Sequence, residues 1–389
     1  MKITFLMPTY PWCPMGGFRV VYEYANQLVR RGHDVTVVHP QAVKFGPGKT
    51  TSFYENLKDV IKARLHRGSK PVIDWQKIDP RVKLLYVSDT EPCNVPDGDA
   101  IFATAWNTVA SVLRYADSKG AKFYLIQGYE TFMGPKPLVD ATWRAPLHKI
   151  VISRWLFALG QELGAKDLVY IPNAVDHDRY TVLTPIDDRP KRISMLFSNS
   201  AFKGSRDGIA ALEIVKTKHP DLDVIFFGTG RHAKWIPKWI RYYRNPPQDF
   251  IVHEIYNKSR IFLNASWTEG FGLPPAEAAC CGCAIVATDS GGIKGLHDFI
   301  EDGQTGLLSL PKDVKTLGEN LCRVLDDENF RKKLAEAAGR RLSTFTWATN
   351  TLMMENFIES SRKVGAPESR NSETPLRHVY AGHIESKDA

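Results

Sequence analysis

The stretch Thr268-Glu269-Gly270-Phe271-Gly272-Leu273-Pro274-Pro275-Ala276-Glu277-Ala278 decides how the rest of the chain is interpreted. It holds two glutamates with seven residues between them. The residues just before it, Ile261–Asn264, predict a short buried strand, and its pair of prolines predicts the start of a helix. Glu269 is therefore expected on a loop that follows a strand, and Glu277 in the first turn of a helix.

Two glycines in this stretch, Gly270 and Gly272, let the backbone approach a ligand closely and expose its N–H groups. The N-terminus of the following helix adds the positive end of a dipole, which attracts phosphate. A carboxylate on each side of such a loop can accept hydrogen bonds from sugar hydroxyls. An ordinary strand-to-helix turn with a capping glutamate has the same residues, so the stretch alone leaves both interpretations open.

Short β-rich segments alternate with helical periods on both sides of this stretch, which predicts an α/β fold with parallel sheets. The predicted strands are Lys2–Met7, Asp34–His39, Lys83–Val87, Ala100–Ala103, Lys122–Gln127, Lys149–Ile152, Ile193–Phe197, Asp223–Phe227, Ile261–Asn264, Ala284–Ala287 and Gly306–Ser309. The predicted helices are Phe18–Arg31, Asp207–Lys218, Pro275–Cys281, Val314–Leu325, Phe330–Leu342 and Trp347–Ser361.

A segment without periodicity, Thr181–Pro190, is rich in Pro and Asp and is interpreted as a linker between two halves. Ligands of open α/β sheets bind at the carboxyl ends of the strands. Two such halves therefore predict a cleft that both sheets face. From residue 362 to 389 the chain is polar, which predicts a flexible tail.

Composition limits the classes of protein that need to be considered. The 389 residues are enough for two domains, and no apolar run approaches the ~20 residues of a membrane span. The net charge of +8 favours anionic partners, such as phosphates or a lipid surface, and no nucleic-acid motif accompanies it. The six cysteines are expected to be buried free thiols, and His33 is expected at the protein surface. We expect a cytoplasmic protein, with contact to the inner face of the membrane left open.

These motifs stand in an order that resembles glycosyltransferase family 4, whose members have the GT-B fold. The Glu-x7-Glu spacing from Glu269 to Glu277 is the most specific of them. The resemblance extends to about Ser361 and also rests on Gly16-Gly17, Gly32 to Val38, Pro172 to Asp176, Lys203-Gly204, Gly228-Thr229-Gly230, Cys280 to Thr288, Ser290-Gly291-Gly292 and Gly303 to Leu308.

The resemblance implies two Rossmann-like domains with parallel sheets that face a central cleft. Residues 1–178 would form the acceptor-side domain and residues 179–346 the nucleotide-sugar domain, while a last helix at 347–361 would cross back onto the first. The implied reaction transfers a sugar with retention of configuration. Neither a metal nor a cofactor is expected, and the nucleotide-sugar is a substrate.

The resemblance also implies roles for single residues of the donor site. Glu277 would bind the ribose hydroxyls of the donor nucleotide, and Glu269 would hold hydroxyls of the donor sugar. The amides of Phe271, Gly272 and Leu273 would meet the sugar and the phosphate. Fixed positive groups of this kind stabilise the departing diphosphate, which is the difficult step of the transfer.

Two basic residues are candidates to place positive charge next to the departing diphosphate. Lys203 follows a strand and precedes a glycine, a position that favours phosphate binding. Family members commonly have an arginine about five residues before this lysine, but this chain has Ser198 and Asn199 there. Either Arg206 supplies the second charge or Lys203 acts alone.

In the first half, Gly16 and Gly17 precede a helix and could admit a phosphate to its end, although an ordinary turn would look the same. Many family members have a histidine after the fifth strand. This chain has Gln127, Tyr129 and Glu130 there, which are candidates for the acceptor side. Glu130 could act as a base toward an acceptor hydroxyl.

Two basic and aromatic stretches are left, Lys58–Lys70 and Arg231–Arg244. Either could lie on an anionic membrane surface, and the second could instead shape the pocket for the base; ordinary solvated faces are the alternative. Membrane contact would favour a polyprenyl-linked acceptor.

The predicted function is a retaining transfer of a hexosyl or deoxyhexosyl group from a UDP-, GDP- or dTDP-linked donor to a glycan or glycolipid acceptor. Bacterial surface polysaccharide or lipopolysaccharide synthesis is the expected setting, with a lean toward rhamnosyl or mannosyl transfer. The alternatives are a sugar epimerase or phosphorylase of the same fold, or a non-catalytic nucleotide- or sugar-binding protein.

Overall fold

The computed structural model of the protein describes residues 1–44, 50–51, 72–289 and 296–364. These residues form two compact units. The first unit contains Met1–Ile171 together with the described residues from Ala348 onward, and the second unit contains Pro172–Trp347. Lys58–Lys70, Ser290-Gly291-Gly292 and the predicted tail from residue 365 lie outside the described residues.

The described part of the first unit has a seven-stranded parallel sheet with the order β5-β2-β1-β6-β7-β8-β9. Its strands are β1 (Lys2–Leu6), β2 (Asp34–Pro40), β5 (Lys83–Val87), β6 (Ala100–Ala103), β7 (Ala121–Ile126), β8 (His148–Val151) and β9 (Leu168–Tyr170), and a separate antiparallel pair is formed by β3 (Val43–Lys44) and β4 (Thr50–Thr51). Its helices are α1 (Gly16–Arg30), α2 (Trp106–Arg114), α3 (Lys136–Trp143) and α4 (Arg154–Glu162).

In the second unit the described strands form a six-stranded parallel sheet with the order β12-β11-β10-β13-β14-β15. The strands are β10 (Arg192–Leu196), β11 (Asp223–Gly228), β12 (Ile240–Arg244), β13 (Ile261–Asn264), β14 (Ala284–Thr288) and β15 (Leu307–Ser309). The longer helices are α5 (Ser205–Lys218), α6 (Leu273–Cys280), α7 (Val314–Asp326) and α8 (Glu328–Leu342), and α9 (Trp347–Val364) follows. The predicted fold of two α/β domains with parallel sheets is confirmed.

Burial explains why these segments form these elements. Every residue of β6 and of β14 is buried, as expected for parallel strands that are covered on both faces. Helix α1 buries its apolar face, including Val21 and Leu28, against the sheet, and it ends where Gly32 adopts a φ of 87°.

The prediction that Thr181–Pro190 links the two halves is wrong, because the segment belongs to the second unit and is anchored to it by Arg189, although most of its residues are exposed. Arg189 is 1% exposed. Its guanidinium donates hydrogen bonds to the carbonyl oxygens of Ser259 at 3.1 Å and Cys281 at 2.6 Å. The division between the units falls after Ile171, whereas the sequence placed it after residue 178.

Helix α9 packs on the first unit and continues past residue 361 to Val364. Glu355 accepts hydrogen bonds from Arg31 at 2.6 Å and from His33 at 2.5 Å, and the ring of Phe357 lies 5.8 Å from that of Phe123. The expectation that His33 lies at the surface is wrong, since only 9% of its side chain is exposed where it contacts Glu355. Among the described helices, none has the length and apolar character needed to cross a bilayer.

Candidate functional site

The carboxyl edge of the second sheet brings two predicted loops together. Strands β10 and β13 are hydrogen-bonded neighbours, with Ile193 opposite Ile261. The loop after β10 leads to Lys203, and the loop after β13 leads to Glu269. Because parallel strands end at the same edge, the two side chains start close to each other.

Lys203 and Glu269 form an ion pair although they are 66 residues apart in the chain. Lys203 Nζ donates to Glu269 Oε1 at 2.8 Å, and the two side chains are 25% and 13% exposed. Such a half-buried, charge-assisted hydrogen bond is stronger than one on an open surface. The structure therefore joins the predicted cation to the first predicted carboxylate.

Gly204 allows the two loops to pack closely, and Gly272 allows the second loop to pack against Leu296. Gly204 has a φ of 59°, and a Cβ there would lie 1.8 Å from the carbonyl oxygen of Ala265. Gly272 has a φ of 87°, and a Cβ there would lie 2.2 Å from Leu296 Cδ2. Gly272 also precedes the first residue of helix α6, Leu273, so this helix begins two residues earlier than predicted at Pro275.

Glu277 lies on helix α6 and is 4% exposed. The hydroxyl of Tyr256 lies 3.4 Å from Glu277 Oε2. Phe271, between the two glutamates, buries its ring against Phe299 and Phe345, with centroids 5.4 and 6.0 Å away. The Phe271 ring thus anchors the loop in the core of the unit, while its neighbour Gly270 continues the loop toward Glu269.

Arg206 is placed against an aromatic ring, with its guanidinium 4.3 Å from the centroid of Trp235. That indole in turn lies 5.3 Å from the ring of Phe197. Farther along the stretch Arg231–Arg244, the Tyr242 hydroxyl donates to the carbonyl oxygen of Gly230 at 2.6 Å. The aromatic residues of this stretch therefore contribute to packing in the second unit, and its last part is the edge strand β12.

In the first unit, helix α1 begins at Gly16, two residues before the predicted start at Phe18. Gln127, just past strand β7, donates from Nε2 to the carbonyl oxygen of Gly17 at 3.1 Å. The structure thus brings together a predicted donor-side glycine and a predicted acceptor-side glutamine.

The other two acceptor-side candidates have different partners. The Tyr129 hydroxyl donates to Asp140 Oδ1 at 2.6 Å. Glu130 Oε2 accepts from the backbone N–H of Trp106 at 2.7 Å, and the Tyr124 hydroxyl lies 3.4 Å away. Burial raises the pKa of Glu130 to about 7, against the lowering effect of these two hydrogen bonds. A carboxyl with such a pKa can exchange a proton near neutral pH.

The cysteines give a mixed result. Cys281, Cys283 and Cys322 are buried as expected, but Cys13 and Cys93 are exposed, so the prediction is wrong for these two. Burial raises the pKa of Cys283 to about 11, which keeps it as a thiol. In the described ranges, no group of three or more His, Cys, Asp or Glu side chains could hold a metal ion.

Trp267 is a residue that the sequence analysis did not single out. It lies on the loop between β13 and Glu269, and its indole Nε1–H donates to Asp207 Oδ2 at 2.6 Å. A signal was available, since an indole N–H next to a buried strand needs a hydrogen-bond acceptor. What the sequence could not indicate is that this acceptor lies on helix α5.

Comparison with known proteins gives a family match within the second unit and partial matches to curated proteins. Residues 184–341 match the family model of glycosyl transferases group 1. Glycogen synthase of Mycobacterium tuberculosis is 31% identical over 178 residues, which cover 43% of this chain and 42% of that protein. O-antigen chain mannosyltransferase B of Escherichia coli is 31% identical over 119 residues, which cover 30% and 29%. Each match spans less than half of the length of the curated relative.

The fold of most of the chain is similar to that of solved structures. The Anabaena Alr3699/HepE structure in complex with UDP and glucose has a TM-score of 0.66 at 15% identity, and the match covers 93% of this chain and 100% of that one. At this identity the likeness establishes the fold alone. The chain therefore has the GT-B fold, and its residues 184–341 match the group 1 glycosyl transferases.

Proposed function

We propose that the protein is a retaining glycosyltransferase that moves a hexosyl or deoxyhexosyl group from a nucleotide-sugar to a glycan or polyprenyl-linked acceptor. The observation that carries this proposal is the ion pair of Lys203 and Glu269, beside a helix that holds Glu277. The match to group 1 glycosyl transferases covers the same residues. The partial similarity to an O-antigen mannosyltransferase favours a role in bacterial surface polysaccharide synthesis.

The donor is assigned to the second unit. Glu277 would accept hydrogen bonds from the ribose hydroxyls, and Glu269 from hydroxyls of the sugar. The amides at 270–273 and the end of helix α6 would face the diphosphate. Arg206 and the helix end at Gly16-Gly17 are further candidates for contacts with the diphosphate.

The leaving group sets the chemical demand on Lys203. As the bond between the sugar carbon and the phosphate oxygen breaks, negative charge grows on the diphosphate. The Lys203 ammonium can be shared between Glu269 and that charge, so the cation is already in position when the charge develops. In the proposed front-face reaction, the acceptor oxygen bonds to the same face of the carbon, and its proton passes to the departing phosphate oxygen.

The acceptor is assigned to the side chains of Gln127, Tyr129 and Glu130 in the first unit. Glu130, with a pKa of about 7, is the alternative acceptor of that proton, in place of the departing phosphate oxygen. We further propose that the reaction needs no metal ion, because the lysine, the amides and the helix end can together offset the diphosphate charge. Attachment to the inner face of the membrane is part of the same proposal, since a polyprenyl-linked acceptor resides there.

Two assays test this function. A thermal-shift screen with UDP, GDP and dTDP should identify one nucleotide that stabilises the protein by about 2.7 kcal/mol at 100 times its dissociation constant. The matching nucleotide-sugar should then release nucleoside diphosphate in an acceptor-dependent way, and this release should persist in EDTA.

The outcomes separate the parts of the proposal. Release that EDTA abolishes and magnesium or manganese restores would contradict the metal-free reaction only. Conversion of the nucleotide-sugar without release of nucleoside diphosphate would indicate an epimerase. Binding without any turnover across the donor and acceptor panel would reject the transferase in favour of a non-catalytic nucleotide-binding protein.

A further inference from the structure

Trp267 ties the two loops of the Lys203–Glu269 ion pair together. Its backbone N–H donates to the carbonyl oxygen of Phe202 at 2.7 Å, and its indole Nε1–H donates to Asp207 Oδ2 at 2.6 Å. Phe202 and Asp207 flank Lys203 on the loop after β10 and on helix α5. Both hydrogen bonds therefore run from the loop of Glu269 to the segment of Lys203.

The indole ring of Trp267 has two further close neighbours, Lys312 and Gly204. Lys312 Nζ lies 4.3 Å from the ring centroid, a distance typical of a cation–π contact. A Cβ on Gly204 would lie 3.3 Å from Trp267 Nε1, so the ring packs closely on the turn that follows Lys203. An indole held at its N–H, at one face and along this turn has little freedom to move.

The two members of the ion pair stand on loops that follow two different strands, β10 and β13. Lysine and glutamate side chains are long, and holding both in one geometry costs conformational entropy. We propose that Trp267 is a positioning residue, which fixes the spacing of the two loops so that Lys203 Nζ and Glu269 Oε1 stay at hydrogen-bond distance. The effect of Trp267 on kcat rests on the proposed function, whereas its effect on the stability of the ion pair does not.

The first test is kinetic. It measures the release of nucleoside diphosphate from three nucleotide-sugar donors, UDP-glucose, GDP-mannose and dTDP-rhamnose. Trp267→Phe removes the N–H donor and keeps an aromatic ring, and it should lower kcat about tenfold with KM within about twofold. Asp207→Ala should match it, while Asp207→Asn keeps an acceptor oxygen and should restore most of the loss. Trp239→Phe is the control, since Trp239 also lies near a lysine of this unit, at 5.6 Å.

The second test needs no donor. Urea midpoints are measured for Trp267→Phe, Lys203→Met and the double variant. If Trp267 supports the ion pair, the midpoint shift of the double variant is smaller than the sum of the single shifts, because the second change acts on a contact already weakened. The same cycle with Trp239→Phe in place of Trp267→Phe should be additive.

These results decide the inference separately from the proposed function. Additive shifts for Trp267→Phe and Lys203→Met would overturn it, as would a kinetic effect confined to KM or an Asp207→Asn variant as slow as Asp207→Ala. A wild-type protein that turns over none of the three donors would count against the transferase. The stability cycle would still decide whether Trp267 positions the ion pair.

Discussion

The predicted functional residues at the carboxyl edges of the two sheets are arranged differently. Two of those in the second unit contact each other, whereas those of the first unit bond to separate groups. In the second unit, Lys203 and Glu269 come from distant parts of the chain and meet at 2.8 Å. In the first unit, Gln127, Tyr129 and Glu130 are near neighbours in sequence but bond to three different groups: a backbone carbonyl, a carboxylate and a backbone amide. Closeness in sequence was thus a poorer guide to a shared site than position at the end of adjacent strands.

The electrostatic environments of the two glutamates differ in the same way. Glu269 is paired with an ammonium group. Glu130 accepts hydrogen bonds from an amide and a phenol, and burial raises its pKa to about 7. Glu269 faces a cation, whereas Glu130 can gain or lose a proton near neutral pH. We therefore assign binding to the first and proton exchange to the second.

The largest expected effect comes from disrupting the close packing of the loops that carry Lys203 and Glu269 in the second unit. Gly204→Ala places a Cβ 1.8 Å from the Ala265 carbonyl oxygen in a left-handed backbone. We expect a loss of about 3 kcal/mol or more in the free energy of unfolding, measured by urea denaturation. Gly164→Ala is the control, since Gly164 has a φ of 77° with no atom within 4 Å, and it should lose only about 1 kcal/mol. Equal losses would mean that close loop packing is not what Gly204 provides.

A smaller effect is expected on the pH dependence of stability, to which Glu130 should contribute. The folded protein keeps the Glu130 proton up to about pH 7, whereas the unfolded chain releases it near the ordinary value of 4.5. Wild-type stability should therefore fall as the pH rises through this window, and Glu130→Gln, which cannot ionise, should escape that loss. The free energy of unfolding of Glu130→Gln minus that of the wild type should therefore increase by about 2 kcal/mol as the pH is raised from 5 to 8.

The control for this pH series is Glu162→Gln, an exposed position in the same unit. Urea denaturation at several pH values measures all three proteins. A difference between Glu130→Gln and wild type that stays constant with pH would show that Glu130 is charged throughout, which would remove its candidacy as a proton carrier.

The fold could be predicted from sequence wherever strands are fully buried. The bounds of Ala100–Ala103 and Ile261–Asn264 were predicted as the structure has them, because continuous apolar runs mark such strands. The strands Leu168–Tyr170 and Ile240–Arg244 were missed. Both lie at the outer edge of their sheets, where one side faces solvent and charged residues such as Arg241 are tolerated.

Non-local contacts account for the other errors. The segment around Arg189 has the composition of a linker, and the hydrogen bonds of the buried Arg189 side chain to carbonyl oxygens of distant segments show that it is anchored to the second unit. In the same way, the sequence identified Lys203 and Glu269 as candidates but not as partners. Trp267, which joins their loops through Asp207, was missed for that reason.

We propose that Glu277 and Glu269 divide the donor between them, with Glu277 holding the nucleotide and Glu269 the sugar. The most direct measurement is a calorimetric titration of the best nucleoside diphosphate into the wild type, Glu277→Ala and Glu269→Ala, with the exposed Glu319→Ala as control. We predict that Glu277→Ala weakens nucleotide binding at least about tenfold, while Glu269→Ala stays within about threefold and instead slows turnover. Equal losses of nucleotide affinity in the two variants would contradict this division.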